Sequence, residues 1–397
     1  RTIKAKKRLR FRNKNPHHFS SERKKILYLS PAKLIQKEKA VWRDKYFDTI
    51  EEKITEEYDV CRYYCQPLQI TKKDFQDLEY PLFESQKKTK IPLTDLTFLA
   101  KIFFRNEIYR AQTILEKEKP SAILFLTETS IPAKALIYLA KKQNVPTITF
   151  QHSIIDNNHP FYGITFPRHS KVNPDFFVTY SDKEEEMLKS FGPFANSPTK
   201  YYPAGLQRFY DLEKKNLKKK TMIKKFALES KITILFVSNK HYPKHYEKHI
   251  RKISTLLATY QNKYQLLFKI HPHDESVSFI QKIFSEQGLE QYKIFEFESL
   301  YEIALTADIV ITNYSTAILE LHLLNKKIIQ IDYENKLKSN YASNGELYYA
   351  STNEDIKKYL DLILAGKDSL KPSSFSNHYK QEPRYKILEL IRSLIEK

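Results

Sequence analysis

The sequence predicts an α/β protein made of two parallel-sheet domains, and three observations carry that prediction. At 397 residues the chain is long for a single hydrophobic core, and its 41% hydrophobic content is enough to build real ones. Short apolar runs alternate with amphipathic segments in two separate blocks, the pattern of strand–helix–strand units. A lysine-rich stretch, Lys214 to Lys225, lies between the blocks and is expected to connect them. These features divide the chain into a basic tail (1–25), a first domain (26–210), a linker (211–230), a second domain (231–370) and a C-terminal segment ending in a helix (371–397).

Each element has its own warrant. Ala122 to Leu126 is a continuous apolar run of strand length. Pro132 to Lys142 follows with Pro in a first helical turn and apolar residues at helical spacing. Pro146 to Phe150 and Phe176 to Tyr180 are the next strands. In the second block Ile232 to Val237 and Tyr264 to Ile270 are strands, and a helix over Ile280 to Gln287 stops at Gly288. Ile309 to Thr312 is a strand, Ser315 to Leu324 a helix, and Ile328 to Ile331 a further strand. The last helix, Tyr385 to Lys397, gathers Ile387, Leu388, Ile391, Leu394 and Ile395 on one face. That face must pack on something, and the first domain is the expected partner.

Composition excludes several functions. The chain has only six glycines, dispersed from Gly163 to Gly366. A dinucleotide fingerprint or a P-loop needs clustered glycines so that backbone can approach phosphate, so both are excluded. No apolar run reaches the roughly 18 residues of a membrane-spanning helix. The N-terminus shows no apolar leader, and the chain begins at Arg1 with no Met, which leaves open a trimmed or longer parent. Cys61 and Cys65 are four apart, suiting one helical face, but no second pair or neighbouring His completes a zinc site. A reduced thiol pair is the simplest reading.

The formal net charge is +20, and residues 1 to 25 carry eleven Lys or Arg against one acid, Glu22. A basic arm of this kind suits an anionic membrane surface, or equally a solvated tail. No helix-turn-helix, RNA-binding sheet motif or zinc finger is present, so nucleic acid is disfavoured as a partner.

The strongest chemistry lies at strand ends. Lys269-Ile-His271-Pro-His closes one strand, where an imidazole held by a rigid proline can donate to phosphate oxygens. Asp308 to Thr316 (DIVITNYST) runs from a strand straight into a helix, bringing Asn313, Ser315 and Thr316 to the same edge. Hydroxyls and free N–H groups at a helix start suit an anion without a glycine loop, although a Ser-Thr pair also serves as an ordinary cap. Ser238 closes the strand that ends at Val237. Together these residues describe a phosphate cradle.

The pairing of "KIHPH" with "ITNYSTAILE" resembles the His-Pro and Ser/Thr motifs of bacterial cell-surface polysaccharide enzymes with the GT-B fold. Those families include capsule sialyltransferases, transferases of 3-deoxy-manno-octulosonic acid, and CDP-glycerol glycerophosphotransferases. "TFQHS" (Gln151 to Ser153) is similar to their Gln-His-Gly turn, with Ser153 in place of Gly. "PAGLQRFYD" (Pro203 to Asp211) is similar to their Gly-x-x-Arg-x-Asp crossing, with Tyr210 intervening. The likeness spans about residues 120 to 335. It implies two Rossmann-like domains facing a cleft, the first for the acceptor and the second for a nucleotide-activated donor.

By that resemblance His271 contacts the donor phosphate, with Lys269, Ser238, Asn313, Ser315 and Thr316 around it. Preorganised donors at a leaving phosphate lower the barrier, and a protonated His271 could act as the acid. Glu320, one turn into the helix, is placed for ribose hydroxyls or else faces solvent. Glu128, after the strand ending at Leu126 and facing the cleft, is the expected base; His152 is its competitor or helper. The run Asp182, Glu184, Glu185, Glu186 is expected to be a solvated helix start, so neither a metal nor a cofactor is expected. The implied activity is a metal-independent glycosyltransferase with a CMP-linked sugar donor, acting on a glycan or lipid-linked acceptor of capsule or lipopolysaccharide. A cytoplasmic protein, peripheral at the inner membrane face, would fit. The alternatives are a CDP-glycerol or CDP-ribitol phosphotransferase using the same cradle, a nucleotide-sugar 2-epimerase, and a non-enzymatic basic binding protein.

Overall fold

The structure, a computed structural model, describes residues 23–31, 35–38, 41–44, 47–65, 107–128, 130–155, 172–190, 198–205, 207, 210, 217–238, 245–270, 277–372 and 382–396. The chain divides into two compact units, one of Arg1–His152, Thr165–Gln207 and Gln381–Lys397, the other of Ser153–Ile164 and Arg208–Lys380. The α/β expectation holds in both.

In the first unit β1 (Lys25–Pro31) is followed by a small antiparallel pair, β2 (Ile35–Glu38) and β3 (Val41–Asp44). Next come β4 (Asp59–Cys65), β5 (Ala122–Phe125), β6 (Thr147–Phe150), β7 (Phe176–Thr179) and β8 (Lys200–Pro203). Six strands form one parallel sheet in the order β4-β1-β5-β6-β7-β8. Strand periodicity sends alternate side chains to opposite faces. Leu27, Leu29, Ile123 and Phe125 meet Ala133, Leu136 and Ile137 of the helix Ile131–Lys142 and Ala111 and Leu115 of a helix over 107–118. Ile26, Tyr28, Ala122 and Leu124 meet Phe47, Ile50 and Ile54 at the helix Asp48–Ile54.

The terminal helix, Pro383–Ile395, covers that second face with Ile387, Leu388, Leu390 and Ile391 fully buried against it. The last residues before β1 are tied down as well. Arg23 donates to the carbonyls of Thr55 and Glu56, and Lys24 to that of Ile395. The basic stretch therefore enters the fold at its last three members. Cys61 lies on a strand rather than a helix; its thiol donates to Glu118 at 3.4 Å, and burial pushes it up to about 12.

The second unit repeats the plan with β9 (Thr233–Val237), β10 (Gln265–Lys269), β11 (Lys293–Phe295), β12 (Ile309–Thr312), β13 (Lys327–Ile331) and β14 (Tyr348–Ala350). All are parallel, in the order β11-β10-β9-β12-β13-β14. The helices Tyr246–Ala258, Val277–Glu286 and Asn353–Leu364 cover one face through Ile250, Ile253, Leu257, Ile280, Ile283, Ile356 and Leu360. Gly288 follows the second of these helices at φ +70°, the left-handed turn that glycine adopts without strain.

Residues 219–225 correct the sequence reading. Placed there in a linker over 211–230, they form the helix Lys219–Lys225, with Met222 and Phe226 buried. Phe226 lies edge-on to Phe295 at 5.1 Å, and Lys225 pairs with Glu302, so this segment belongs to the second unit. Both sheets use the same fastening. Asp175, just before β7, accepts from the Thr147 N–H at 2.9 Å, and Asp308, just before β12, accepts from the Thr233 N–H at 2.9 Å.

Candidate functional site

In the second sheet the chain runs outward from β9 in both directions, so β9 and β12 are neighbours far apart in sequence. Loops leaving the carboxyl ends of two such strands diverge and open a crevice, the usual ligand position in open parallel sheets. Val237 pairs with Thr312, which sets Ser238 and Asn313 side by side at that edge. Thr312 Oγ1 donates to the Val237 carbonyl at 3.3 Å, and Ser238 Oγ donates to the Lys269 carbonyl at 3.4 Å. Asn313 Nδ2 reaches the Ile331 carbonyl at 3.5 Å, joining the ends of β12 and β13. His271 and the rest of the His-Pro-His motif lie outside the described residues, and β10 brings the chain to this edge as far as Ile270.

Three expectations at this edge need correction. Lys269 does not present its ammonium outward: it is buried, and Nζ donates to the carbonyls of Ile270 at 2.8 Å and Glu296 at 2.7 Å. It ties β10 to the segment after β11. The helix after β12 spans Ala317–Leu323, two residues shorter at its start than the sequence suggested. Its first N–H groups are not free for an anion. Ala317 N donates to Ser315 Oγ at 3.2 Å, Ile318 N to the Ser315 carbonyl and Leu319 N to the Thr316 carbonyl, both at 3.1 Å. Ser315 supplies the side-chain cap, and Thr316 makes none. Finally, Glu320 is 8% exposed and so is no solvent-facing helix residue.

The first unit carries the other candidates at the carboxyl edge of its own sheet. Glu128, two residues past Leu126, is 0% exposed rather than open to solvent. Its Oε2 accepts from Thr149 Oγ1 at 2.7 Å, whereas Oε1 has no hydrogen-bond partner among the described residues. Burial holds this carboxyl above the usual carboxylate range, with the Thr149 hydroxyl opposing. His152 follows β6 and is half-buried. Gln151, just before it, is fixed on both sides: its Oε1 accepts from the Tyr180 N–H at 2.8 Å, and its Nε2 donates to Glu184 Oε1 at 3.2 Å. Ser181 Oγ donates to the other oxygen of Glu184 at 2.8 Å.

Glu184 therefore departs from the expected solvated charge run. The helix Asp182–Ser190 does start there, but Glu184 is 1% exposed and serves as the anchor of the Gln151 turn. Sequence reasoning missed it because three consecutive acids look alike; only their phase on the helix separates the buried one. Gly205 adopts φ +94° in the Pro203–Asp211 crossing, which explains a glycine there. Gln207 is buried and accepts from the Arg384 N–H at 2.9 Å; Arg208 and Asp211 lie outside the described residues. A small cavity opens at this edge between Tyr28, Leu126, Gln151, Tyr180 and Gln207, with Ile387 of the terminal helix behind it.

A second missed feature is Asp332, just past β13. Its carboxylate accepts from the N–H groups of Glu334 (3.1 Å), Lys336 (2.6 Å) and Leu337 (2.6 Å), fixing the loop that leaves this strand. A lone Asp after a strand carries no motif by which to find it.

Residues 198–354, which hold β8 and the second sheet through β14, match the family model described as CDP-Glycerol:Poly(glycerophosphate) glycerophosphotransferase. The chain is a glycosyltransferase-type enzyme. No curated protein sequence matches it. Among solved structures, the S. aureus MnaA–UDP structure is 12% identical, with 94% of this chain and 97% of that one covered at a TM-score of 0.61. UDP-GlcNAc 2-epimerase from Neisseria meningitidis is 14% identical, with 93% and 100% covered and a TM-score of 0.57. A glycosyltransferase from Rickettsia africae is 12% identical, with 95% and 100% covered and a TM-score of 0.52. These likenesses establish the fold, the GT-B arrangement of paired parallel sheets that the motifs implied.

Proposed function

We propose that this enzyme transfers a glycerophosphate-type group from a CDP-linked alditol to a growing poly(alditol phosphate) acceptor, as in teichoic-acid synthesis. The family match over residues 198–354 carries this reading, because it falls on the sheet whose strand order runs outward from β9 in both directions, the usual ligand position in open parallel sheets. It favours the phosphoalditol alternative over a CMP-linked sugar destined for capsule or lipopolysaccharide. That neighbours of this fold are described with UDP or UDP-GlcNAc bound supports a nucleotide donor.

In this reading Ser238, Asn313, Ser315, Thr316 and His271 surround the donor's phosphates, and Glu320 the ribose. Hydroxyl and amide donors held by strand ends meet charge that develops on the departing CMP without reorganising. Glu128 of the first unit takes the proton of the attacking hydroxyl, with His152 assisting. Burial raises its proton affinity, the direction that favours taking up the hydroxyl's proton. Lys269 is left out, since its ammonium serves the backbone.

The test is CMP release from CDP-glycerol in the presence of a glycerophosphate-primed acceptor, beside thermal shifts with CMP, CDP, UDP and GDP. Stabilisation by bound nucleotide follows mass action. Cytidine-selective stabilisation and acceptor-dependent CMP release are expected. Turnover of a CMP-sugar alone would restore the sugar-transfer reading, and uridine selectivity without any acceptor requirement would favour an epimerase.

A further inference from the structure

Two hydroxyls of β6 each serve a carboxyl, one at either end of the strand, and the two carboxyls are not used alike. Thr147 and Thr149 are two apart on a strand, so both point to the same face of the sheet, and both are fully buried. At the amino end Thr147 Oγ1 donates to Asp175 Oδ2 at 2.6 Å; the Thr147 N–H shares that oxygen, and Lys141 takes Oδ1. Both carboxyl oxygens of Asp175 are occupied, as in a fastening. At the carboxyl end Thr149 pairs in register with Phe125, and its Oγ1 lies 3.3 Å from the Phe125 carbonyl and 2.7 Å from Glu128 Oε2. Here the other carboxyl oxygen, Oε1, has no hydrogen-bond partner among the described residues.

A carboxyl that only held the fold together would have both oxygens paired, because an unpaired buried acceptor is costly. A hydroxyl has one proton to give. The shorter contact aims that of Thr149 at Oε2, and the stiff χ1 of a β-branched side chain keeps it there. We propose that Thr149 is the positioning residue of the transfer step: by donating to Oε2 it stabilises the ionised Glu128 and leaves Oε1 to take the acceptor's proton. The proposal rests on the reading of Glu128 as the base. In the step, the acceptor hydroxyl oxygen bonds to the phosphorus of the glycerophosphate group. The bond from that phosphorus to the bridging oxygen breaks, CMP leaves with the electron pair, and the hydroxyl proton passes to Oε1. Thr149 keeps its own proton throughout. Among the described residues, other ionisable groups at this edge are Lys134, His152 and Glu184. Lys134, in the first turn of the helix Ile131–Lys142, favours the ionised carboxyl through its charge. His152 follows β6, and Glu184 is taken up by Gln151 and Ser181. A change at Thr149 leaves all three in place.

The experiment measures CMP release from CDP-glycerol, with a glycerophosphate-primed acceptor, by the full chain as a function of pH. Thr149→Val keeps the branched shape and removes the donor. A hydrogen bond to the charged form of a carboxyl lowers its proton affinity, so its loss should move the acid limb of the rate profile to higher pH by about one unit or more. KM for CDP-glycerol should be unchanged. Thr149→Ala removes the same donor with less bulk and should move the limb likewise, and Thr149→Ser, which restores the hydroxyl, should bring it back toward the wild-type position. An acid limb that stays in place in the folded Val or Ala variant overturns the proposal, even if the rate falls uniformly at every pH. The carboxyl gives a check that does not use the rate. The 13C signal of Glu128, assigned by its loss in Glu128→Gln, should titrate at higher pH in Thr149→Val than in the wild type, and equal midpoints overturn the proposal as well. Failure of the underlying reading looks different: Glu128→Gln would turn over at the wild-type rate while the carboxyl signal still moved with Thr149, and the proposal would fall with that reading.

Discussion

Gln151 and Glu184 lock the end of β6 to the start of the helix after β7, Nε2 to Oε1 at 3.2 Å, with both residues essentially inaccessible to solvent. The link matters because His152 follows Gln151 directly, so its position depends on a buried amide and a buried carboxylate. Gln151→Ala would strip Glu184 of one donor and leave the Tyr180 N–H without its acceptor. A buried polar group left unsatisfied costs about 1–3 kcal/mol. The variant should lose about that much in denaturant unfolding monitored on the purified chain, and Glu184→Ala a comparable amount. Glu184→Gln, which can still accept from Ser181, should lose less. Equal stability of Gln151→Ala and wild type would show that the pair carries no load.

Much of the fold was legible before any coordinates. Ala122 to Phe125 and Ile309 to Thr312 are apolar on both faces, which is what a central parallel strand requires, and both are strands with every residue buried. The edge strands were harder. β8 (Lys200–Pro203) and β14 (Tyr348–Ala350) are short and half-exposed, so they carry no apolar run to betray them. The candidate site was legible in place but not in detail. Strand ends bring Ser238 and Asn313 together through register, which periodicity foretells. Whether a lysine at a strand end points out or folds back depends on carbonyls contributed by a distant strand, as Lys269 shows with Glu296. No local pattern encodes that.

Lys269 allows a clean separation of structure from binding. Its ammonium satisfies the carbonyls of Ile270 and Glu296, both at the end of the sheet. Lys269→Met keeps the stem and removes those bonds, so stability should fall by about 1–3 kcal/mol, the range for buried groups left unpaired. Nucleotide affinity, measured by calorimetry at a temperature where the variant is fully folded, should change less than threefold. A large loss of affinity with unaltered stability would return Lys269 to the phosphate.

The terminal helix should be indispensable to the first unit although it comes last in the chain. Ile391 is fully buried against the same sheet face as Ile26, Tyr28 and Leu124. Truncating a fully buried isoleucine to alanine costs about 2–5 kcal/mol through lost transfer energy and the cavity left behind. Ile391→Ala should unfold at correspondingly lower denaturant concentration, and Ile391→Asp should fail to give soluble protein. Arg392→Ala gives the contrast. Its pairing with Glu57 is at the surface, where solvent screens ion pairs, so it should be nearly silent.

Glu128 should also make stability depend on pH in a direction opposite to most carboxylates. Its folded-state proton affinity is raised by burial above that of the unfolded chain. Between the unfolded carboxyl value, about 4.3, and the higher folded one, the native state holds a proton that the unfolded state has released. More protons bound in the native state mean that stability falls as pH rises through that window. Lys134 acts in a separate, alkaline window: its lowered amine releases a proton in the native state first, so stability there rises with pH. Glu128→Gln removes the acid-side slope, because the amide needs no proton and can still accept from Thr149. Urea unfolding of the two chains at a series of pH values from 4 to 8 gives the comparison. The difference in stability between Glu128→Gln and wild type should grow in favour of the variant as pH rises above the unfolded carboxyl value. A difference that stays flat across the series would mean that Glu128 ionises as readily in the native chain as in the unfolded one, and its burial would then have to be offset by charge closer than Lys134.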